Sequence, residues 1–114
     1  MTALRAEVSE LALGTWGLSG DAYGPVSEAE AEAVIDRALQ LGITLFDTAD
    51  CYGRGRMEQV LGSRIRKSGR EVFVVTRIGT DRGADRARRN FAPDYLRGAF
   101  DKSRERLGRD KLDV

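Results

Sequence analysis

The chain contains no histidine and a single cysteine, Cys51, in 114 residues. One thiol cannot build an internal disulfide framework, and without histidine no Cys/His zinc cluster can form. No metal site is expected. The base of a Ser-His-Asp or Cys-His nucleophilic site is missing as well. Excess charge of one sign is also lacking, because 19 Lys and Arg against 18 Asp and Glu leave a formal net charge of +1. That balance gives no support to a general nucleic-acid or membrane surface. No apolar run nears the roughly 18 to 20 residues of a membrane span. Met1 to Ser9 lacks the basic and apolar blocks of a secretory signal. A cytoplasmic location is therefore expected. Proline is scarce, at two residues, and no stretch reads as an interdomain linker or a low-complexity tract.

What is present is an alternation of short apolar run, Gly or Asp turn, and amphipathic stretch, the pattern of successive βα units. Leu11 to Gly14 reads as a first strand, followed by a Gly-rich loop from Thr15 to Val26. Ser27 and Glu30 form a capping box that starts a helix. Val34, Ile35, Ala38 and Leu39 give that helix an apolar face, and Gly42 closes it. Ile43 to Phe46 reads as strand two, ending in Asp47, Thr48 and Asp50. A second helix from about Met57 to Lys67 turns Val60, Leu61 and Ile65 inward and stops at Gly69. Val72 to Val75 is apolar without alternation, as in a parallel strand buried on both faces.

Gly79 to Ala92 is polar, with four Arg against two Asp, and reads as a solvated loop. Pro93 suits the first turn of a third helix. Leu96, Ala99, Phe100, Ser103 and Leu107 mark its buried side, and Gly108 ends it. Lys111 to Val114 reads as the opening of a fourth strand. The fold class is thus α/β, with three βα units and the start of strand four. Right-handed crossovers place the helices on one face of a parallel sheet and leave the other face to be covered. Closing an eight-stranded barrel takes about 250 residues. The chain therefore reads as part of a larger barrel, as a partner to a second polypeptide that completes it, or as a small open α/β domain, in that order.

Asp47 stands at the C-terminal end of a parallel strand, the edge where βα loops build active sites. Tyr52 lies in the same loop. A phenol with a pKa near 10 is a poor acid–base group unless a cation stabilises its phenolate. Arg77, ending the neighbouring strand, can supply that cation. The alternative is a surface tyrosine beside a structural Asp–Arg pair, and spacing alone leaves both open. Gly53 and Gly55 lack the third glycine of a dinucleotide fingerprint. Thr15 and Trp16 can line a pocket or fill the core. Tyr23 is a weaker pocket candidate, and Cys51 reads as a small buried filler.

Leu13-Gly14-Thr15-Trp16-Gly17, then Phe46-Asp47-Thr48-Ala49-Asp50-Cys51-Tyr52-Gly53, then Glu58 and Leu61-Gly62, resemble the N-terminal part of an aldo-keto reductase. Pro93 to Leu96 and Arg106 to Asp110 resemble that family's third helix and its exit. The resemblance covers almost the whole chain in the expected order. It implies the opening part of a (β/α)8 TIM barrel, continuing beyond these residues, and an NADPH-dependent reduction of an aldehyde or ketone; NADH is the less frequent cofactor. It implies that Asp47 is the catalytic aspartate and also touches the nicotinamide ribose, and that Tyr52 is the general acid. Gly14, Thr15 and Trp16 would lie near the nicotinamide. Trp16 and Tyr23 would wall the substrate pocket, and Glu58 would support the fold.

Two departures stand out. The family's catalytic lysine follows a threonine at the end of strand three, and here Arg77 follows Thr76. Arginine keeps the charge but is planar and effectively never deprotonated. The family's histidine belongs after strand four, past Val114. The family's N-terminal hairpin is also expected to be shortened or absent, since only Met1 to Glu10 could form it. The altered lysine position admits a second reading, a barrel of this kind that binds nucleotide or protein with little or no reduction. A redox-independent lyase or cyclase on the same scaffold is a third. The expected partners are a small carbonyl substrate and the remainder of the barrel, from the same or a second chain.

Overall fold

A computed structural model describes residues 8–83 and 86–114. The expectation about an N-terminal hairpin falls mostly on residues 1–7, outside the described residues. Along the chain come β1 (Leu13–Gly14), α1 (Glu28–Gln40), β2 (Leu45–Asp47), α2 (Arg56–Ser68), β3 (Phe73–Val75), β4 (Thr80–Asp81), β5 (Arg88–Arg89) and α3 (Pro93–Leu107). Short 3-10 turns occupy Trp16–Leu18 and Tyr52–Gly55. Strands β1, β2 and β3 form one parallel sheet in that order. No helix among the described residues is long and apolar enough to cross a membrane.

Local chemistry accounts for the helix ends. The Glu30 N–H donates to Ser27 Oγ, and the Ser27 N–H donates to Glu30 Oε2, both at 3.1 Å, so the capping box is complete. Pro93 opens α3, and Gly108 closes it in the left-handed region. Helix α1 buries Ala31, Ile35, Ala38 and Leu39, and α2 buries Met57, Val60, Leu61 and Ile65. These meet Phe46, Val72 and Val74 of the sheet side and Leu107 of α3 in one core. Arg64 of α2 clamps both oxygens of Asp36 on α1, at 2.7 and 2.8 Å. Helix α3 lies close against α2 at Gly62, where an added Cβ would stand 2.6 Å from the Leu107 carbonyl oxygen.

Several expectations need correction. Val34 and Phe100 are exposed, because the buried stripes run through Ile35 and through Ala99, Ser103 and Leu107, one position away. Phe100 instead lies under the Arg104 guanidinium, 5.4 Å from its ring centre. Val72 to Val75 is not buried on both faces. Phe46 and Val74 are buried toward the helices, while Leu45, Phe73 and Val75, one residue out of phase, are half-buried. The segment read as solvated loop holds the antiparallel pair β4–β5, with Thr80 opposite Arg89 and Asp81 opposite Arg88. Two-residue rungs are too short to leave an alternating pattern. Lys111 to Val114 forms no strand ladder. It lies along the edge of β3, where Asp113 Oδ2 accepts from the Val74 N–H at 2.9 Å and the Val114 carbonyl from the Thr76 N–H at 3.1 Å.

Candidate active site

The parallel register sets Gly14, Asp47 and Val75 side by side at the C-terminal edge of the sheet. Thr15 is fully buried just beyond Gly14. Its N–H and its hydroxyl both donate to the Asp47 carbonyl, each at 2.9 Å. On the other side the Thr48 N–H donates to the Val75 carbonyl at 2.8 Å and the Asp50 N–H to the Arg77 carbonyl at 3.0 Å. The backbone that carries Asp47 is thus tied to both neighbouring strand ends, which leaves its side chain free to reach outward.

That side chain meets Arg77. Nη2 donates to Oδ1 at 2.7 Å and Nη1 to Oδ2 at 3.0 Å, a two-pronged pair with 57% of the arginine and 31% of the aspartate side chain exposed. The Asp47 carboxylate raises the Arg77 guanidinium above its ordinary value, with a smaller contribution from the Tyr52 oxygen. The carboxylate, phenol and cation expected from the strand ends are therefore together. Tyr52 begins a tight turn whose next two residues, Gly53 and Arg54, both lie in the left-handed region, at φ 57° and 55°.

Behind this edge sits a buried polar cluster. Glu58 is fully buried; its Oε1 accepts from the Thr76 hydroxyl at 2.6 Å and its Oε2 from Arg106 Nη1 at 3.0 Å. Thr76 immediately precedes Arg77, so the expected fold-supporting glutamate also anchors the end of β3. Burial, and then the charge of Glu58, push the Asp50 carboxyl up to about 6. Asp50, Tyr95, Lys102 and Arg106 line an adjoining groove of about 360 Å³. Burial also raises the Cys51 thiol, which leaves it a poor nucleophile at neutral pH. Trp16 and Tyr23 project from the first loop, 48% and 84% exposed, with ring centres 5.8 Å apart in an edge-on contact. Neither fills the core.

The sequence profile of the Aldo/keto reductase family matches residues 10–114. The chain belongs to the aldo/keto reductase family. Among its relatives is the NADP(+) aldo-keto reductase yakc of Schizosaccharomyces pombe, 36% identical over 111 residues that cover 94% of this chain and 32% of that protein. The pyridoxal 4-dehydrogenase of Microbacterium luteolum is 31% identical, covering 94% of this chain and 38% of that protein. In three dimensions the glycerol dehydrogenase of Gluconobacter oxydans superposes with a TM-score of 0.82 at 28% identity, over 92% of this chain and 34% of that one. The chain thus spans about a third of the length of these relatives. Its three parallel strands and the helices that follow them are part of the family's (β/α)8 barrel.

Two residues beside Tyr52 escaped sequence reasoning. Asp21 Oδ2 accepts from the Gly53 N–H at 2.9 Å, and Arg82 Nη1 donates both to Asp21 Oδ2 and to the Cys51 carbonyl, each at 3.0 Å. No local pattern flags either one, since each belongs to a loop and the two are 61 positions apart. In the sequence Thr76 stands out only by its place before Arg77; its contact with Glu58 spans 18 positions and has no spacing signature.

Proposed function

We propose that the complete protein is an NADP-dependent aldo-keto reductase that converts an aldehyde or ketone to an alcohol. The observation that carries this reading is the two-pronged Arg77–Asp47 pair, with Tyr52 close to it on the C-terminal edge of the sheet, in a chain of this family. The names of the yakc and glycerol dehydrogenase relatives support the same reaction class.

The residues present fit a nicotinamide nucleotide. The Asp47 carboxylate at an open edge suits ribose hydroxyls, and the half-exposed Trp16 indole beside Gly14 and Thr15 suits a flat ring. NADPH, or less often NADH, when bound supplies the hydride that goes to the carbonyl carbon. Tyr52 gives its phenolic proton to the carbonyl oxygen. The phenolate left behind is stabilised by the Arg77 charge, and Asp47 holds that guanidinium in place. Arg77 cannot surrender a proton, so Tyr52 is replenished from solvent. Trp16 and Tyr23 wall the carbonyl substrate. The barrel continues beyond these residues or is completed by a second chain, and a cytoplasmic location fits this chemistry.

The test is the full-length protein with NADPH and a panel of aldehydes and ketones. Loss of the reduced-nicotinamide absorbance is expected, and no turnover with any of them would falsify the reading. Because arginine stands where the family's lysine would be, a barrel that binds nucleotide without efficient reduction is the second reading. Tight cofactor binding with no turnover identifies it.

A further inference from the structure

We infer that Asp21 and Arg82 form a clasp that positions Tyr52 by holding the strained turn on which it sits. The inference rests on Tyr52 acting as the general acid of the proposed reaction. Arg54 is the one non-glycine residue at positive φ among the described residues, at 55°. It directly follows Gly53, also left-handed, so two consecutive residues after Tyr52 adopt this conformation. A side chain in the left-handed region carries a steric cost, and such a turn persists only where its surroundings over-determine it.

The surroundings are the loops after β1 and around β4. The Asp21 carboxylate accepts from the Gly53 N–H, on the C-terminal side of Tyr52. Arg82 donates to the Cys51 carbonyl, on its N-terminal side. The two side chains then bond to each other at 3.0 Å, which closes a bridge across Tyr52. Arg54 Nη1 adds a bond to the Arg82 carbonyl at 3.2 Å, so the strained residue itself is tied to the same loop. The Asp21 carboxyl is held below its usual value, first by the Gly53 N–H and then by Arg82, against the effect of its partial burial. It is therefore ionised at neutral pH, as the clasp requires.

The bridge joins the loops that carry the pocket aromatics, the phenol and the β4–β5 hairpin. Opening it lets the turn relax toward ordinary dihedrals, and Tyr52 then swings relative to Arg77, whose own position is set by Asp47. A phenol that moves away from a cation becomes harder to ionise. Direct loss of the Asp21 negative charge acts in the opposite sense, because it would ease phenol ionisation. The two effects are therefore distinguishable by sign.

The experiment uses the full-length protein and the variants Asp21→Ala, Asp21→Asn and Arg82→Met. The titration of Tyr52 is read by ultraviolet difference against a matched Tyr52→Phe partner for each. In Asp21→Ala the phenol is expected to ionise less readily than in the parent. The substitution should also lower kcat about tenfold with NADPH affinity unchanged, and Arg82→Met should do the same. Asp21→Asn, which still offers an oxygen to the Gly53 N–H, should fall between. Adding Arg54→Gly to Asp21→Ala removes the steric cost of the turn and should restore part of the lost kcat. A residue that merely contacted substrate would show no such rescue. A Tyr52 titration that stays put or falls in Asp21→Ala overturns the inference, as does an unchanged kcat in an active enzyme. An upward shift in a full-length protein that reduces no carbonyl compound leaves the clasp standing and removes the reductase reading.

Discussion

Arg77 grips both oxygens of Asp47, at 2.7 and 3.0 Å, so the cation and the carboxylate at the edge of the sheet form one rigid unit. The fork geometry of a guanidinium makes this possible, and a lysine ammonium cannot reproduce it. In the proposed reaction the charge serves the phenol, whereas the fork turns two of its five donors, one from each terminal nitrogen, to Asp47. Arg77→Met in the full-length enzyme is expected to lower kcat about 100-fold through loss of that charge. Arg77→Lys should raise kcat, because a compact ammonium can face Asp47 and Tyr52 together. Steady-state kinetics with NADPH decide the matter. A collapse of Arg77→Lys to the Met level would mean the site is built around the guanidinium.

Asp50 makes stability depend on pH. Its carboxyl is raised from an ordinary 3.8 to about 6 by burial and by Glu58. The fold therefore favours the protonated form. The stabilisation is complete below about pH 3.8 and is lost as pH rises through about 6. Asp50→Asn cannot ionise. Its melting temperature relative to the parent should climb across that window and level off above it. A difference that is flat with pH would show that Asp50 titrates normally.

Glu58 is fully buried, and among the described residues its carboxylate accepts from Thr76 and Arg106. Removing Arg106 strands a buried charge. Arg106→Met should cost about 3 kcal/mol in urea unfolding. The double variant Arg106→Met with Glu58→Gln should recover much of that loss, since the stranded charge is gone. Equal losses in the single and double variants would argue that packing of the arginine stem, and not the charge, is what matters.

Two helical glycines should respond in opposite ways to alanine. At Gly62 a Cβ would collide with the Leu107 carbonyl at 2.6 Å, while at Gly98 nothing lies within 4 Å. Gly62→Ala should destabilise by about 1–3 kcal/mol by forcing α2 and α3 apart. Gly98→Ala should stabilise by up to about 1 kcal/mol through helix propensity. Denaturant midpoints measured side by side provide the comparison.

The helices were the legible part of the sequence, because each carries its own punctuation: Ser27 with Glu30, Pro93, and glycines after the last turn. Strand limits were less legible. With two or three residues per strand, the ladder is set by neighbours and not by an internal period, so the apolar pattern includes Leu11 and omits Asp47. Asp47 and Arg77 could be placed because a strand end announces itself as an apolar run turning polar, while Tyr52 lies in the loop beyond, and only the family resemblance singled the three out as a candidate site. The β4–β5 pair, the Glu58–Thr76 contact and the Asp21–Arg82 bridge could not be read. They depend on loops meeting in space, and nothing in the order of residues records such meetings.

If the chain is part of a larger barrel, the half-buried row of Leu45, Phe73 and Val75 stays partly open until the rest of that barrel is made. Everything that seals the opposite side of the sheet, from Ala31 to Leu107, is contained in this one stretch. In the proposed barrel the inner side waits for the polypeptide that closes over it. During that interval the waiting row is a sticky seam, where a holdase chaperone would grip and where two nascent copies would adhere.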